Sequence, residues 1–295
     1  MFCGHTVRMA ELTSFWHGVE LVHDVVYFAP DARGRYGALG LKGGWMGYFA
    51  SRAAALGVPT PQVVTATFHG FAPALVTRAV PDAWRLAERE QVLAERLAIA
   101  RDTLEPLVAG RDDLDVPALA EELAGVVAGL DLAGKPLAAA EASLAVPDVG
   151  PGDPGGLGAL WRRVTVLREF RGDCHVAVLV SEGLGGATAN ALAVATGRVP
   201  AGQRESRGWS EREWAAALAD LRGRGWLNDD DTASISGRST RDRIEDATDR
   251  ACQANMTPAA AIAAEQAAAH LYAVGAAVSA SGLMPFPNPV GVGPA

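Results

Sequence analysis

Lysine is the scarcest charged residue in this chain of 295 residues. Only Lys42 and Lys135 occur, so arginine supplies nearly all of the positive charge. The formal net charge is −8, which gives the chain no overall attraction for nucleic acid phosphates or for anionic lipid. A partner of either kind would need a local basic patch.

Cysteine is also scarce: Cys3, Cys174 and Cys252 are odd in number, lie far apart and form no CxxC pair. This pattern is typical of proteins in a reducing compartment. The N-terminus lacks an apolar stretch followed by a small-residue cleavage site. No run of about 18 apolar residues is free of charge or glycine. We therefore expect a cytoplasmic protein that does not span a membrane.

The sequence contains none of the common cofactor motifs. GxGxxG after a strand, GxxxxGK[ST] and GxSxG are all absent, and the GLGG at 183–186 follows a predicted helix instead of preceding one. His23, His69 and His175 do not stand in HxxxH, HExxH or Cys-His spacing. The sequence therefore implies no nucleotide cofactor and no metal.

Helical periodicity dominates what is present. Hydrophobic residues make up 49% of the chain, enough for a substantial core, and none of the first 140 residues forms a convincing strand. We predict an N-terminal helical domain over residues 1–145. Its first helix is amphipathic and runs from Met9 to Phe28. Further helices are predicted over 45–56, 61–71 and 73–80 and through most of 82–134.

The clearest break is VPDVGPGDPGG at 146–156, which has three prolines and four glycines and indicates a linker or long loop. A long helix over 157–184 and a short one over 187–197 follow, within a second domain at 157–257. Residues 258–295 are predicted to form an alanine-rich helix to about residue 281 and a proline-rich, non-helical tail.

The second domain carries the most specific local pattern. Ser210 and Glu213 form a capping box that starts a helix through Leu221. RGRGWL, NDDDT and ASIS then predict a strand, an acidic turn and a second strand, followed by a helix from about Thr240 to Gln253. This order is typical of a winged helix. The predicted fold class is mostly α, with a helical N-terminal domain, a winged-helix module and a small β-hairpin.

The segment from GWSEREW to DATDRA resembles the second half of a MarR-type winged-helix domain. The whole chain resembles a family of actinobacterial proteins that carry this module. The resemblance rests on VHDVVYFAPDAR, WMGYFASRAAALG, FHGFAPALVTRAVPDAW and REFRGDCHVA. It implies a helix-turn-helix-like fold and a homodimer formed through terminal helices, but no particular activity.

The residues of the module disfavour DNA as a partner. The predicted recognition helix begins with Glu211, Arg212, Glu213 and Trp214 and continues with alanines, so few side chains can read base edges. The wing carries the carboxylates of residues 229–231, which would oppose phosphates. A ligand-responsive, MarR-like DNA-binding regulator nevertheless remains the alternative function.

Arg168, Arg171 and His175 stand at i, i+3 and i+7 in the long helix and share one face. Two guanidiniums and an imidazole could bind a carboxylate or phosphate, with His175 moving a proton. Equally, the arginines could pair with acidic side chains of a neighbouring helix and His175 could belong to the core. Both interpretations stay open.

A second group lies in the N-terminal half. It combines His23 in the first helix with an unusually aromatic set that suits a pocket for a planar ligand, or equally a large core. The predicted ligand-binding residues here are Tyr27, Trp45, Tyr48, Arg52, Phe68, His69 and Phe71.

Taken together, these patterns predict a small-molecule pocket between the halves. The favoured function is a cofactor-independent acid/base enzyme acting on an aromatic or carboxylate-bearing substrate in specialised metabolism. His175 and His23 would be its catalytic residues, and Arg168 and Arg171 would hold the anionic group.

Overall fold

The computed structural model describes residues 9–147, Asp153 and residues 156–295. Within these ranges every regular element is a helix, and the fold is all-α. The predicted break at 146–156 falls largely outside the described residues.

Nine helices precede the break, and a short 3-10 turn, Ala54–Leu56, extends the fourth of them. They are α1 (Met9–His23), α2 (Val25–Phe28), α3 (Ala32–Ala38), α4 (Gly43–Ala53), α5 (Pro61–Thr67), α6 (Pro73–Leu86), α7 (Arg89–Val108), α8 (Val116–Ala128) and α9 (Pro136–Ala142).

Six further helices follow the break, in the described part of the chain. They are α10 (Leu157–Ser181), α11 (Gly186–Ala195), α12 (Gln203–Ser206), α13 (Glu211–Gly223), α14 (Ile235–Ala254) and α15 (Pro258–Ala280).

Local sequence sets many of the helix starts. Thr60 and Thr257 each accept a backbone N–H at an N-cap and are followed by proline at the first helical position. Ser210 and Glu213 form the predicted capping box at the start of α13. The helix boundaries predicted from such signals are therefore close to those observed.

The predicted winged-helix hairpin is wrong, because the described residues form no strand. Leu227 and Ala233 make only an isolated bridge. Ser234, which was assigned to the second strand, instead caps α14 by accepting from the Gly237 backbone N–H at 3.0 Å. Since α14 begins at Ile235, about five residues before the predicted start, no residues remain for the second strand. The segment between Trp226 and Ser234 is a loop.

Two hydrophobic cores hold the described helices together. The large core takes side chains from α1 to α10, α14 and α15. Here α15 packs along α1, and Gly18 and Gly275 let the two helices approach closely: a Cβ on Gly18 would lie 3.0 Å from Leu271. The small core joins the end of α10 with α11, α13 and α14. Helix α10 therefore passes from one core into the other. The division into domains at residues 145 and 157 stays a prediction.

Candidate functional site

Helix α10 carries the predicted stripe through the junction of the two cores. Trp161 and Leu167 are fully buried in the large core, whereas Leu179 packs in the small core. The segment between them, REFRGDCH, therefore lies where side chains can reach both cores.

Two of the predicted arginines bind a carboxylate that the sequence did not single out, that of Glu169. Arg52 Nη2 donates to its two oxygens at 2.8 and 2.9 Å, and Arg168 Nη1 donates to Oε2 at 2.9 Å. Burial alone would raise the pKa of Glu169, but the guanidiniums of Arg52 and Arg168 hold it well below its usual range. Glu169 is therefore an anion that two cations share.

Arg171, the middle residue of the predicted stripe, faces helix α14. Its Nη2 donates to Glu245 and to Asp249, at 3.0 Å in each case. Arg171 is thus engaged in ion pairs between α10 and α14, whereas Arg168 and His175 line a cavity. The residues between Arg168 and His175 span about two turns of α10, so this part of the helix meets both the cavity and a neighbouring helix.

The His175 ring is held as a neutral tautomer. Thr248 donates its hydroxyl proton to the Ile244 carbonyl at 2.9 Å, so His175 Nδ1 must donate to Thr248 Oγ1, 2.9 Å away. Burial lowers the pKa of His175 to about 4. The ring is therefore uncharged at neutral pH and is a weak base.

His23 is held in the same way but lies deeper. Thr165 donates to the Trp161 carbonyl at 2.8 Å, so His23 Nδ1 donates to Thr165 at 3.2 Å, and His23 Nε2 accepts from the Tyr27 hydroxyl at 2.9 Å. Burial lowers the pKa of His23 well below its usual value. Both ring nitrogens are occupied, and the side chain lines neither of the cavities described below.

The predicted aromatic residues do cluster. Tyr48 lies 5.2 Å from Tyr27 and 5.4 Å from Phe71 between ring centroids, and Trp45 lies 5.6 Å from Phe71. Arg52 packs 4.5 Å from the Phe68 ring and donates to the Tyr48 hydroxyl at 2.8 Å. The cluster is therefore partly core and partly the wall of a cavity.

Residues 68–71 dock the large core onto the small core. His69 Nε2 donates to the Leu184 carbonyl at 2.9 Å, and Asn190 donates to the Gly70 carbonyl at 2.7 Å. A Cβ on Gly186 would lie 2.0 Å from the His69 carbonyl oxygen, so glycine is required at the start of α11. Contacts at His69 thus fix the turn between α10 and α11.

Two cavities adjoin at this junction. The aromatic cavity has a volume of about 610 Å³ and lies between α2, α3, α4 and the C-terminal segment; Tyr27, Trp45 and Tyr48 are in its wall. The charged cavity has a volume of about 260 Å³ and includes residues of both cores. Tyr48, Arg207 and Val290 line both cavities. The charged residues that line the second cavity are Arg52, Arg168, Arg207 and Arg241 and the acidic Glu169 and Asp173.

Arg207 and Arg241 of the charged cavity were missed by sequence reasoning. Arg207 follows the short helix α12, donates to the Pro289 carbonyl at 2.7 Å and packs 4.4 Å from the Phe71 ring. Arg241 pairs with Glu245 on its own helix. Nothing in the sequence around Arg207 signals a site, since its contacts come from residues more than 80 positions away.

The exposed surface of the small core carries mixed charge. Arg224 pairs with Asp220 at 3.1 Å and Arg243 with Glu182 at 2.9 Å, while Arg222 pairs with Asp231 of the acidic turn. Ala215, Ala216 and Ala219 occupy much of the exposed face of α13. Three of the exposed arginines of this surface are therefore neutralised by neighbouring acids.

No group of three or more His, Cys, Asp or Glu side chains in the described ranges could hold a metal ion. Cys174 and Cys252 are buried free cysteines. No single helix of the described chain is long and apolar enough to cross a membrane. Helices α10 and α11 meet that test only as a pair, with a bend of 99° between them.

Comparison with known proteins gives one match. The model of a helix-turn-helix family matches residues 12–285, which covers both cores and every residue of the two cavity walls except Pro289 and Val290. No curated protein and no solved structure matches the chain. Since the match spans nearly the whole chain, the protein belongs to this helix-turn-helix family.

Proposed function

We propose that this protein is a ligand-responsive regulator: its helix-turn-helix region binds DNA, and the cavities between the two cores bind a small effector. Family membership supports the DNA-binding part, which the charge pattern of the sequence had disfavoured. The MarR-like character, the actinobacterial origin and the homodimer belong to the same proposal and rest on the resemblance alone.

One observation carries the effector-binding part. The charged cavity is walled by α4 and the 67–71 segment of the large core on one side and by α11 and α14 of the small core on the other. A molecule bound there contacts both cores at once. Its binding free energy can therefore favour one relative position of the cores, which is the requirement for coupling two sites.

Exposed arginines at the starts of α13 and α14 are the candidate DNA contacts. The N-terminal end of a recognition helix approaches base edges, and Arg212 is exposed in the first turn of α13. Arg238, exposed in the first turn of α14, is a second candidate. Because Arg222, Arg224 and Arg243 already pair with acids, we expect few phosphate contacts and a salt slope of only about −2 to −3.

Selection from a random duplex DNA library at about 0.15 M salt tests this proposal. The wild type should enrich one sequence, and Arg212→Gln should lower the affinity for it about tenfold, as expected when a charged base or phosphate contact is lost. Arg85→Gln is the matched control, since this arginine is 79% exposed on α6, outside the module. Failure of the wild type to enrich any sequence would remove the DNA-binding proposal.

The acid/base enzyme is the second candidate, because His175 lines the charged cavity. Its Nε2 is left to accept a proton, since Nδ1 donates to Thr248. A base with a pKa of about 4 is poorly matched to catalysis at neutral pH, which disfavours this function. The catalytic roles of His175 and His23 stay predictions. A His175→Asn variant that binds an identified effector as wild type does, with no turnover in either protein, would support the regulator.

A further inference from the structure

Arg207 differs from the other arginines of the charged cavity in having no carboxylate partner. Arg52 and Arg168 bind Glu169, and Arg241 binds Glu245. No carboxylate lies within ion-pair distance of Arg207 in the part of the chain that the structure describes. Its Nη2 donates to the Pro289 carbonyl, and its Nε is buried without a hydrogen-bond partner among the described residues.

The surroundings of Arg207 hold its guanidinium in place without neutralising it. The Arg207 Cζ lies 4.4 Å from the centroid of the Phe71 ring, and its guanidinium interacts with the hydroxyl of Tyr48, which lines both cavities. Burial and the nearby Arg52 both lower the pKa of Arg207 from its usual value, which reflects a cation without a counter-ion. A planar, positioned guanidinium with free donors is suited to a bidentate anion.

The position of Arg207 limits what such an anion can be attached to. Arg207 stands where the two cavities meet, and from there the aromatic cavity extends past Tyr48 to Tyr27 and Trp45. That cavity, at about 610 Å³, falls in the range of small-molecule pockets. An anion bound at Arg207 therefore has an apolar, aromatic space directly beside it.

We propose that Arg207 binds the carboxylate or sulfonate of an aromatic acid whose rings occupy the aromatic cavity. The anion takes the place of the Pro289 carbonyl as acceptor from Nη2 and provides an acceptor for Nε. This inference rests on the proposed role of the cavities in binding an effector, and it names the chemical class of that effector.

Two fluorescent probes with the same rings test the inference. Anilinonaphthalene sulfonate carries the anion, and phenylnaphthylamine is its uncharged counterpart. Wild type should bind the sulfonate at least about tenfold more tightly than the amine. Arg207→Gln should lose about tenfold or more of the affinity for the sulfonate and keep its affinity for the amine within about twofold, because a charge-assisted hydrogen bond contributes on that scale.

Arg198→Gln is the matched control, because Arg198 is exposed nearby and lines neither cavity. It should bind both probes as wild type does. A cooperative urea unfolding transition with the wild-type slope shows that Arg207→Gln is folded. Equal affinities of the wild type for the two probes, no binding of either, or equal losses in the two glutamine variants would overturn the inference.

A second pair of variants leaves Arg207 in place. Val290 lines both cavities beside Arg207. Val290→Glu therefore supplies an internal carboxylate that should compete with the sulfonate for Arg207 and lower the affinity for the sulfonate about tenfold. Val290→Gln introduces a side chain of nearly the same size as glutamate but without its charge. Its affinity for the sulfonate should lie within about twofold of that of the wild type. Equal sulfonate binding by these two variants would contradict the anchoring role. None of these measurements involves DNA, so they can fail or succeed independently of the selection experiment.

Discussion

Arg96 in the large core and Arg207 at the wall of the charged cavity are held in opposite ways. In the large core Arg96 donates to Glu141 at 2.6 Å, and both side chains are almost completely buried. At the cavity wall Arg207 is held by an aromatic ring, one backbone carbonyl and the Tyr48 hydroxyl. A buried ion pair is complete within the chain, whereas an arginine with no carboxylate still has the capacity to bind an anion. The difference separates arginines that hold the fold from one that is available for a ligand.

Breaking a complete pair should have the largest effect. Arg52→Gln removes a cation from Glu169 and leaves that carboxylate buried beside Arg168 alone. We expect the free energy of unfolding to fall by about 3 to 5 kcal/mol, because the remaining charge stays desolvated. Urea unfolding measures this. Arg111→Gln is the control: Arg111 and its partner Asp113 are 43% and 62% exposed, so the loss should be small compared with that of Arg52→Gln. Similar losses in the two variants would show that Glu169 is compensated by other groups.

Two neighbouring groups of the cavity wall should give opposite pH dependences. Burial raises the pKa of Asp173 to about 6, so stability is lost as the pH rises from about 4 to 6, because the folded state keeps a proton that the unfolded chain releases. Burial lowers the pKa of His175 to about 4, so stability is gained between about pH 4 and 6.5, because the unfolded chain binds a proton that the folded state excludes.

Each of these contributions is about 3 kcal/mol, and they nearly cancel in the wild type. Asp173→Asn should therefore become more stable as the pH rises over this range, and His175→Asn less stable. Asn at position 173 can still accept from the backbone N–H groups of Leu137 and Ala138, so the start of α9 is retained. Parallel pH profiles for both variants and the wild type would show that neither pKa is shifted in this way.

The smallest effect should come from Arg207→Gln. No ion pair between described residues is broken, and the lost bond to the Pro289 carbonyl is offset by removal of a desolvated cation. We expect unfolding free energies within about 1 kcal/mol of wild type, well below the loss from the same substitution at Arg52. A loss as large as that of Arg52→Gln would assign Arg207 a structural role and end the contrast between Arg207 and the arginines that have a carboxylate partner.

Helices and their ends were largely predictable from the sequence because capping is a local interaction. Thr60, Ser210 and Thr257 each precede a helix that begins at the next residue. The hairpin prediction was wrong because it placed Ser234 in a strand. The Ser234 side chain instead accepts from the Gly237 backbone N–H and caps a helix. An alternation of small side chains such as ASIS does not by itself distinguish a strand from the N-cap of a helix.

The site was predictable only where its residues share one helix. Spacing placed Arg168 and His175 on a face of α10, and both line the charged cavity. Spacing could not show that Glu245 and Asp249 would meet Arg171, since they lie more than 70 residues further along the chain. Arg207 depends on Phe71, Tyr48 and Pro289, which come from three distant segments. Only the fold brings these residues together.

Fluorescence anisotropy of the selected DNA duplex, with and without saturating anilinonaphthalene sulfonate, tests the central claim most directly, because it joins the two proposed sites. The account predicts that the sulfonate changes the Kd of the wild type for DNA at least fivefold, within the usual range of allosteric coupling. The Kd of Arg207→Gln for DNA should be the same with and without the sulfonate. An identical Kd with and without the probe in the wild type, measured while the probe is bound, would contradict it.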